Sequence, residues 1–183
     1  MRAFISLNLD DEIRAILTNF QKNIKDGLGI TESRKVKWES PDKFHITMFF
    51  VGDIGEDKIE DLKEKLKDIN EEQIGKVSLE ITRAGGFPDL GRPRVIFAEV
   101  TDKEQKLNKL SDAINKTMKD LGFEQSAKYR AHITLGRVRR DCRINGLTDI
   151  TVKGNFDVNK VHIMRSTLNS DGAVHESIFS AEL

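Results

Sequence analysis

The residues with the most chemical content are two histidines set in the same phrase. His45 stands in "FHITMFFV" and His132 in "AHITLGRV", 87 residues later, each followed by Ile-Thr. On a strand, residues i and i+2 share a face. His45 and Thr47 therefore look one way while Ile46 and Met48 look into a core, and His132 and Thr134 stand likewise against Ile133 and Leu135. Each phrase offers an imidazole beside a hydroxyl, backed by apolar anchors. Two such surfaces facing each other suit displacement at phosphorus, where attacking and leaving oxygens lie on opposite sides. One histidine acts as base and the other as acid, since an ordinary pKa near 6.5 lets either form exist at working pH. The Thr hydroxyls can donate to the non-bridging oxygens, where charge builds. A metal is not required, and each phrase supplies only one metal ligand.

Positioning these groups is the task of elements that alternate along the chain. "RAFISLNL" reads as a strand. A helix is expected from Asp10, with Ile13, Leu17, Phe20 and Ile24 on one stripe and Gly27 and Gly29 stopping it. "FHITMFFV" is a strand, Ile59, Leu62, Leu66 and Ile69 mark a second helix, and "KVSLEITRAGGF" is a third strand. The order then begins again with the strand "RVIFAEVTD". A helix through Leu107, Leu110, Ile114 and Leu121 follows, then the strand "YRAHITLGRV". "CRINGLTDI" reads as irregular or helical, "FDVNKVHIMRSTL" as one strand, and the end as a hairpin about Asp171-Gly172. Aligning Phe4 with Ile96 sets Asp10 opposite Asp102, each able to cap a helix. The repeated phrase thus marks the same place in two equivalent halves.

Composition narrows the setting. The 183 residues are enough for a full core, and the formal net charge is zero, which argues against a generic nucleic-acid coat protein. The basic stretches "SRKVKW", "GRPR" and "RVRRDCR" matter because two of them flank the repeated phrases. A single cysteine, Cys142, forms no internal disulfide and fits a reducing compartment. With no apolar run of membrane-spanning length and no leader-like start, a cytoplasmic protein without a membrane partner is expected. His162 and His175, taken singly, read as structural.

The paired "HITM" and "HITL" resemble the two H-x-T-x motifs of the 2H phosphoesterase superfamily. The flanks resemble its RNA 2′,3′-cyclic phosphodiesterase family, also called 2′-5′ RNA ligases, over essentially the whole chain. The matching segments are "MRAFISLNL", "VKWESPDKFHITMFFVGD", "RPRVIFAEV", "YRAHITLGRV" and "MRSTLNSDGAVHESIFSAEL". The resemblance implies one bilobal α+β domain of duplicated strand–helix–strand lobes, with antiparallel sheets facing a central cleft. The lobes would span roughly residues 1–90 and 91–183, with strands exchanged between them. It implies hydrolysis of an RNA 2′,3′-cyclic phosphate end to a 2′-phosphomonoester, with 2′-5′ ligation as the reverse chemistry. No cofactor is implied. The substrate would be an RNA end, transfer-RNA fragments being the usual suggestion, and the protein would act as a monomer.

Carried over by position, His45 is the proton donor to the departing 3′ oxygen and His132 the acceptor that activates water. Thr47 and Thr134 would hold the phosphate. Arg137 matches a family arginine that steadies it. Parity alone points Arg137 away from His132, so the strand must bulge or end near Gly136. Two departures concern the rim of the cleft. Phe49 stands where a lysine is frequent, is expected to share the face of His45, and would stack on a base. His175 stands where an aromatic is common and is expected to border the cleft. The competing readings are a phosphoesterase for another cyclic or 2′-5′-linked nucleotide, and a non-catalytic RNA-binding module. The latter would use aromatics such as Trp38 and Tyr129 for stacking.

Overall fold

A computed structural model describes residues 1–69, 74–124, 129–140, 142–147, 150–170 and 172–183. Among them are nine strands and three helices, in the order β1 (Arg2–Asn8), α1 (Asp11–Ser33), β2 (Val36–Trp38), β3 (His45–Asp53), α2 (Glu56–Lys67), β4 (Val77–Phe87), β5 (Val95–Thr101), α3 (Lys106–Asp120), β6 (His132–Val138), β7 (Thr151–Val158), β8 (Lys160–Asn169) and β9 (Gly172–Glu182). The strands form one sheet in the order β7-β4-β5-β6-β3-β1-β8-β9, with β2 added to β6, and every pairing is antiparallel. The α+β architecture stands, with the two facing sheets fused into one curled sheet.

The chain's own connections show the curl. β7 and β8 lie far apart in the strand order, yet only Asn159 separates them in sequence. Successive Cα atoms are about 3.8 Å apart, so the sheet must bend round until these strands approach. The backbone N–H of Leu183, just past β9, donates to the Asn159 carbonyl at 2.9 Å and fastens the same corner. "FDVNKVHIMRSTL" is therefore two strands, because Asn159 turns the chain out of one partner and into another.

At the centre, β3 meets β6 at the single pair Ile46↔Ile133. Outward from this seam lie β1, β8 and β9 on one side and β5, β4 and β7 on the other. Thus β4, which follows the first motif in sequence, stands in the wall of the second. β8 and β9 stand in the wall of the first.

Ile46, Met48, Ile133 and Leu135 are buried in a core shared with the helix stripes Ile13, Leu17, Phe20 and Ile24, Ile59, Leu62 and Leu66, and Leu107, Leu110 and Ile114. Burying each such side chain stabilises the fold by about 1.5–3 kcal/mol. The sheet therefore has one helix-covered face, leaving the other for the cleft.

Helix α1 begins as expected, the Asp10 carboxylate accepting from Ile13 N–H at 2.9 Å. It does not stop at Gly27. It runs to Ser33 through a kink at Gly29, whose φ of 73° is left-handed and open to glycine. Asp102 accepts from the N–H groups of Glu104 and Leu107, although the cap position itself falls to Gln105. Residues 142–147 have no regular structure and hold Ile144 in the core. The closing hairpin pairs Asn169 with Gly172, while Asp171 lies outside the described residues. No helix is long and apolar enough to cross a membrane, among the described residues.

Candidate active site

Both histidines are held by the same local device. His45 Nδ1 lies 2.7 Å from the carbonyl of Lys43, and His132 Nδ1 lies 2.7 Å from the carbonyl of Arg130. A carbonyl can only accept, so each Nδ1 carries the proton and donates, leaving Nε2 free for chemistry. The residue two before each motif histidine therefore sets its tautomer. In the neutral form His45 Nε2 accepts from the Thr47 hydroxyl at 3.0 Å.

Each imidazole also stands against aromatic rings. His45 lies 4.9 Å from the ring of Phe4 and 5.7 Å, edge-on, from His175. His132 lies 5.0 Å from Phe87, edge-on, and 5.4 Å from Phe97. This packing withdraws both from water and makes the protonated form costly. Burial lowers His45 to about 4, with a smaller push in the same direction from the His175, His132 and Arg137 charges. Burial also lowers His132, aided by Arg137 and Arg130.

The cleft has a volume of about 580 Å³ and is lined by His45, Thr47, His132, Thr134 and Arg137, among others. Arg137 reaches it because β6 bulges. Ile96 pairs with Gly136 and Phe97 with Thr134, so Leu135 is the extra residue, and Leu135 and Gly136 are both buried. Parity flips and Arg137 returns to the face of His132. A Cβ on Gly136 would fall 2.7 Å from Val36 Cγ1 and 2.8 Å from Trp38 Cε3, so glycine admits β2 beside the bulge. Arg137 Nε lies 3.6 Å from the Glu39 carboxylate.

An equivalent bulge in β3 overturns the expectation for Phe49. In β3, Ile5 pairs with Phe49 and Ser6 with Thr47, so Met48 is the extra residue. Phe49 is therefore 1% exposed, in the core, and Phe50 takes the cleft face, 63% exposed. The residue five positions after each histidine is thus the one delivered to the cleft, Phe50 in one half and Arg137 in the other. The parallel between the two motifs held that signal, and strict alternation hid it.

His175 lines the cleft, and its Nδ1 is buried without a hydrogen-bond partner among the described residues. Burial lowers its pKa, with a further push from Lys43. Lys37, Lys43, Glu39 and Arg2 also line the cleft and were not foreseen. His162 stays outside it, 3.1 Å from Ser177 Oγ. Trp38 donates to the Ser33 carbonyl and Tyr129 to Met48 Sδ, and neither lines the cleft. Among the described residues, no group of three or more His, Cys, Asp or Glu is gathered closely enough to hold a metal ion.

In fold, the chain matches the phosphoesterases of the LigT type. A protein of Thermus thermophilus superposes with a TM-score of 0.83 at 22% identity, covering 100% of this chain and 98% of that one. E. coli LigT complexed with 3′-AMP superposes at 0.80 with 18% identity, covering 100% and 97%. Residues 7–97 match the family model described as LigT-like phosphoesterase. An Archaeoglobus fulgidus protein named RNA 2′,3′-cyclic phosphodiesterase is 30% identical over 97% of this chain and 98% of its own length. A Methanocaldococcus jannaschii protein of the same name is 27% identical over 97% and 98%. The chain belongs to the LigT-like phosphoesterase family.

Proposed function

We propose that the protein opens the 2′,3′-cyclic phosphate at the end of an RNA, leaving a 2′-phosphomonoester and a 3′-hydroxyl, with no metal in the step. The observation that carries this reading is the pair of imidazoles in one cleft, each with Nδ1 fixed on a backbone carbonyl and Nε2 available. The relatives named for this activity support it along the whole chain.

In this reading His132 Nε2 takes a proton from water as the water oxygen bonds to phosphorus. The bond from phosphorus to the 3′ oxygen breaks on the opposite side, and protonated His45 gives its Nε2 proton to that oxygen. Arg137 and the Thr47 and Thr134 hydroxyls donate to the non-bridging oxygens. His45 is neutral at pH 7 in the free protein, its pKa being about 4. A cyclic phosphate monoanion beside it favours the charged form and raises that value. Arg137 and Arg130 disfavour a charged His132, which suits the base. A 5′-hydroxyl in place of water gives the 2′-5′ ligation product by the same proton movements. The cleft is built from one chain, so a monomer suffices, and a transfer-RNA fragment in the cytoplasm is a substrate of the required kind.

The test is a short RNA ending in a 2′,3′-cyclic phosphate, incubated in EDTA, with the position of the product phosphate determined. The expected product is the 2′-phosphate, absent with His45→Ala and with His132→Ala. An unchanged end, or a product formed by either variant as fast as by the wild type, overturns the reading.

A further inference from the structure

The cleft carries more positive charge than its reacting phosphate needs. Among the described residues that line it are the cations Arg2, Lys37, Lys43 and Arg137, against the one carboxylate of Glu39. Lys37 on β2 and Lys43, two residues before His45, converge on the tip of the closing hairpin. A Cβ on Gly172, the first residue of β9, would stand 3.4 Å from Lys37 Nζ and 3.8 Å from Lys43 Nζ. Glycine leaves that point open, with two ammonium groups directed at it.

The protein does little to neutralise the pair. Among the described residues, no carboxylate lies within ion-pair distance of either lysine. Glu39 lies against Arg137 at 3.6 Å. Asp42, which feels the Lys43 charge, accepts from the Ser40 side chain and lines a different groove beside Arg14. Register adds a third cation. Lys37 is opposite Arg137 in the pairing of β2 with β6, so their Cβ atoms are about 4.5–5.5 Å apart on one face, where like charges repel. The Lys43 charge also reaches His175 and helps lower its pKa. Like charges gathered about an open point are relieved by an anion set among them.

We infer that Lys37 and Lys43 form a subsite for a second phosphate, the phosphodiester on the 5′ oxygen of the ribose that carries the cyclic phosphate. This rests on the cyclic-phosphate reading above, in which Arg137 and the two Thr hydroxyls take the reacting group. Lys37 stands one strand over from Arg137, and Lys43 two residues from His45. The pair therefore borders the reacting phosphate and extends beyond it. On an RNA end the nearest other anion is that upstream phosphodiester. An ammonium is a point charge on a flexible stem and holds a phosphate without fixing its orientation. Contacts to phosphate carry no base information. The subsite therefore selects chain ends over 2′,3′-cyclic mononucleotides, whatever their terminal base.

The test uses two dinucleotides ending in a 2′,3′-cyclic phosphate, one with an ordinary internal phosphodiester and one with an uncharged methylphosphonate in its place. The quantity read is the ratio of their kcat/KM values, in which any effect of Lys43 on His45 cancels. Lys37→Gln and Lys43→Gln are each expected to lower the preference for the charged linkage by about 2- to 5-fold, the range of exposed ion pairs. The wild type should show a preference of about 4- to 25-fold, and the double variant one near unity. A preference absent from the wild type, or kept by the double variant, overturns the subsite. In the second case, equal losses on both linkages mark the lysines as partners of the reacting phosphate. Should the wild type open neither dinucleotide, the cyclic-phosphate reading fails. The subsite is then decided by calorimetry of both dinucleotides with wild type and double variant. Tighter binding of the charged linkage that the double variant lacks keeps it, and any other pattern removes it.

Discussion

The β3 and β6 regions share a backbone and differ in what they place on it. Both clamp histidine Nδ1 on the carbonyl two residues earlier, both set a Thr beside the imidazole, and both carry an extra residue just beyond the Thr. The neighbours diverge. His45 has Thr47 on Nε2 and His175 against its ring, whereas His132 stands edge-on against the stacked rings of Phe87 and Phe97, within the field of Arg130 as well as of Arg137, whose charge also reaches His45. The repeated parts deliver two equivalent groups. The unrepeated parts distinguish them, keeping positive charge beside His132, the base in the proposed mechanism, and leaving His45, its acid, to be charged by the substrate.

The sharpest way to break the comparison is to remove one histidine at a time. His45→Ala and His132→Ala should each lower kcat/KM by about 10²- to 10⁴-fold. The double variant should fall little further, because the pair acts as a unit. Single-turnover rates on a cyclic-phosphate RNA measure this.

Acid stability sharpens the distinction next. His45 falls from an ordinary 6.5 to about 4 on folding. A depressed folded value means that the unfolded chain binds the proton better between those limits. The contribution is therefore complete above about pH 6.5 and is lost as pH falls through 4, on the order of 3 kcal/mol in all. Urea midpoints at pH 7 and pH 4.5 should show a smaller acid loss in His45→Asn than in wild type. Adding inorganic phosphate should raise the His45 titration followed by NMR.

Arg137→Ala should lower kcat/KM by roughly 10- to 150-fold, matching the 1.5–3 kcal/mol of a hydrogen bond to a charged group, with Arg137→Lys recovering part of the loss. Steady-state kinetics decides, and a loss below threefold would detach Arg137 from the phosphate. Gly136→Ala tests the bulge itself. Its Cβ presses on Val36 and Trp38, so about 1–3 kcal/mol of stability should go, read from the urea midpoint. The smallest asymmetry concerns the hydroxyls. Thr47→Ala should move the acidic limb of the pH–rate profile more than Thr134→Ala, because the Thr47 hydroxyl rests on His45 Nε2.

How much of this was legible in the sequence depended on whether a feature was periodic. The helix stripes and the faces of His45, Thr47, His132 and Thr134 follow from simple spacing. A bulge breaks spacing without leaving a composition signal. It was demanded at Gly136 only because Arg137 had been given a role, and at Met48 it passed unseen, which put Phe49 in the cleft in place of Phe50. β2 has three residues and too little length to show alternation, and the corner at Asn159 has no glycine or proline to announce it. His175 was legible as a neighbour of the cleft, but its contact with His45 joins residues 130 positions apart in sequence.

That corner has a mechanical meaning. One residue straps two distant members of the sheet together, so the curvature that sets the spacing of the cleft walls is held by a position outside the lining of the cleft. Slackening the strap with a few inserted glycines would let the trough flatten and draw its walls apart. Width and chemistry are thus adjusted at separate addresses in the chain, and a new substrate size can be reached without disturbing the residues that move protons.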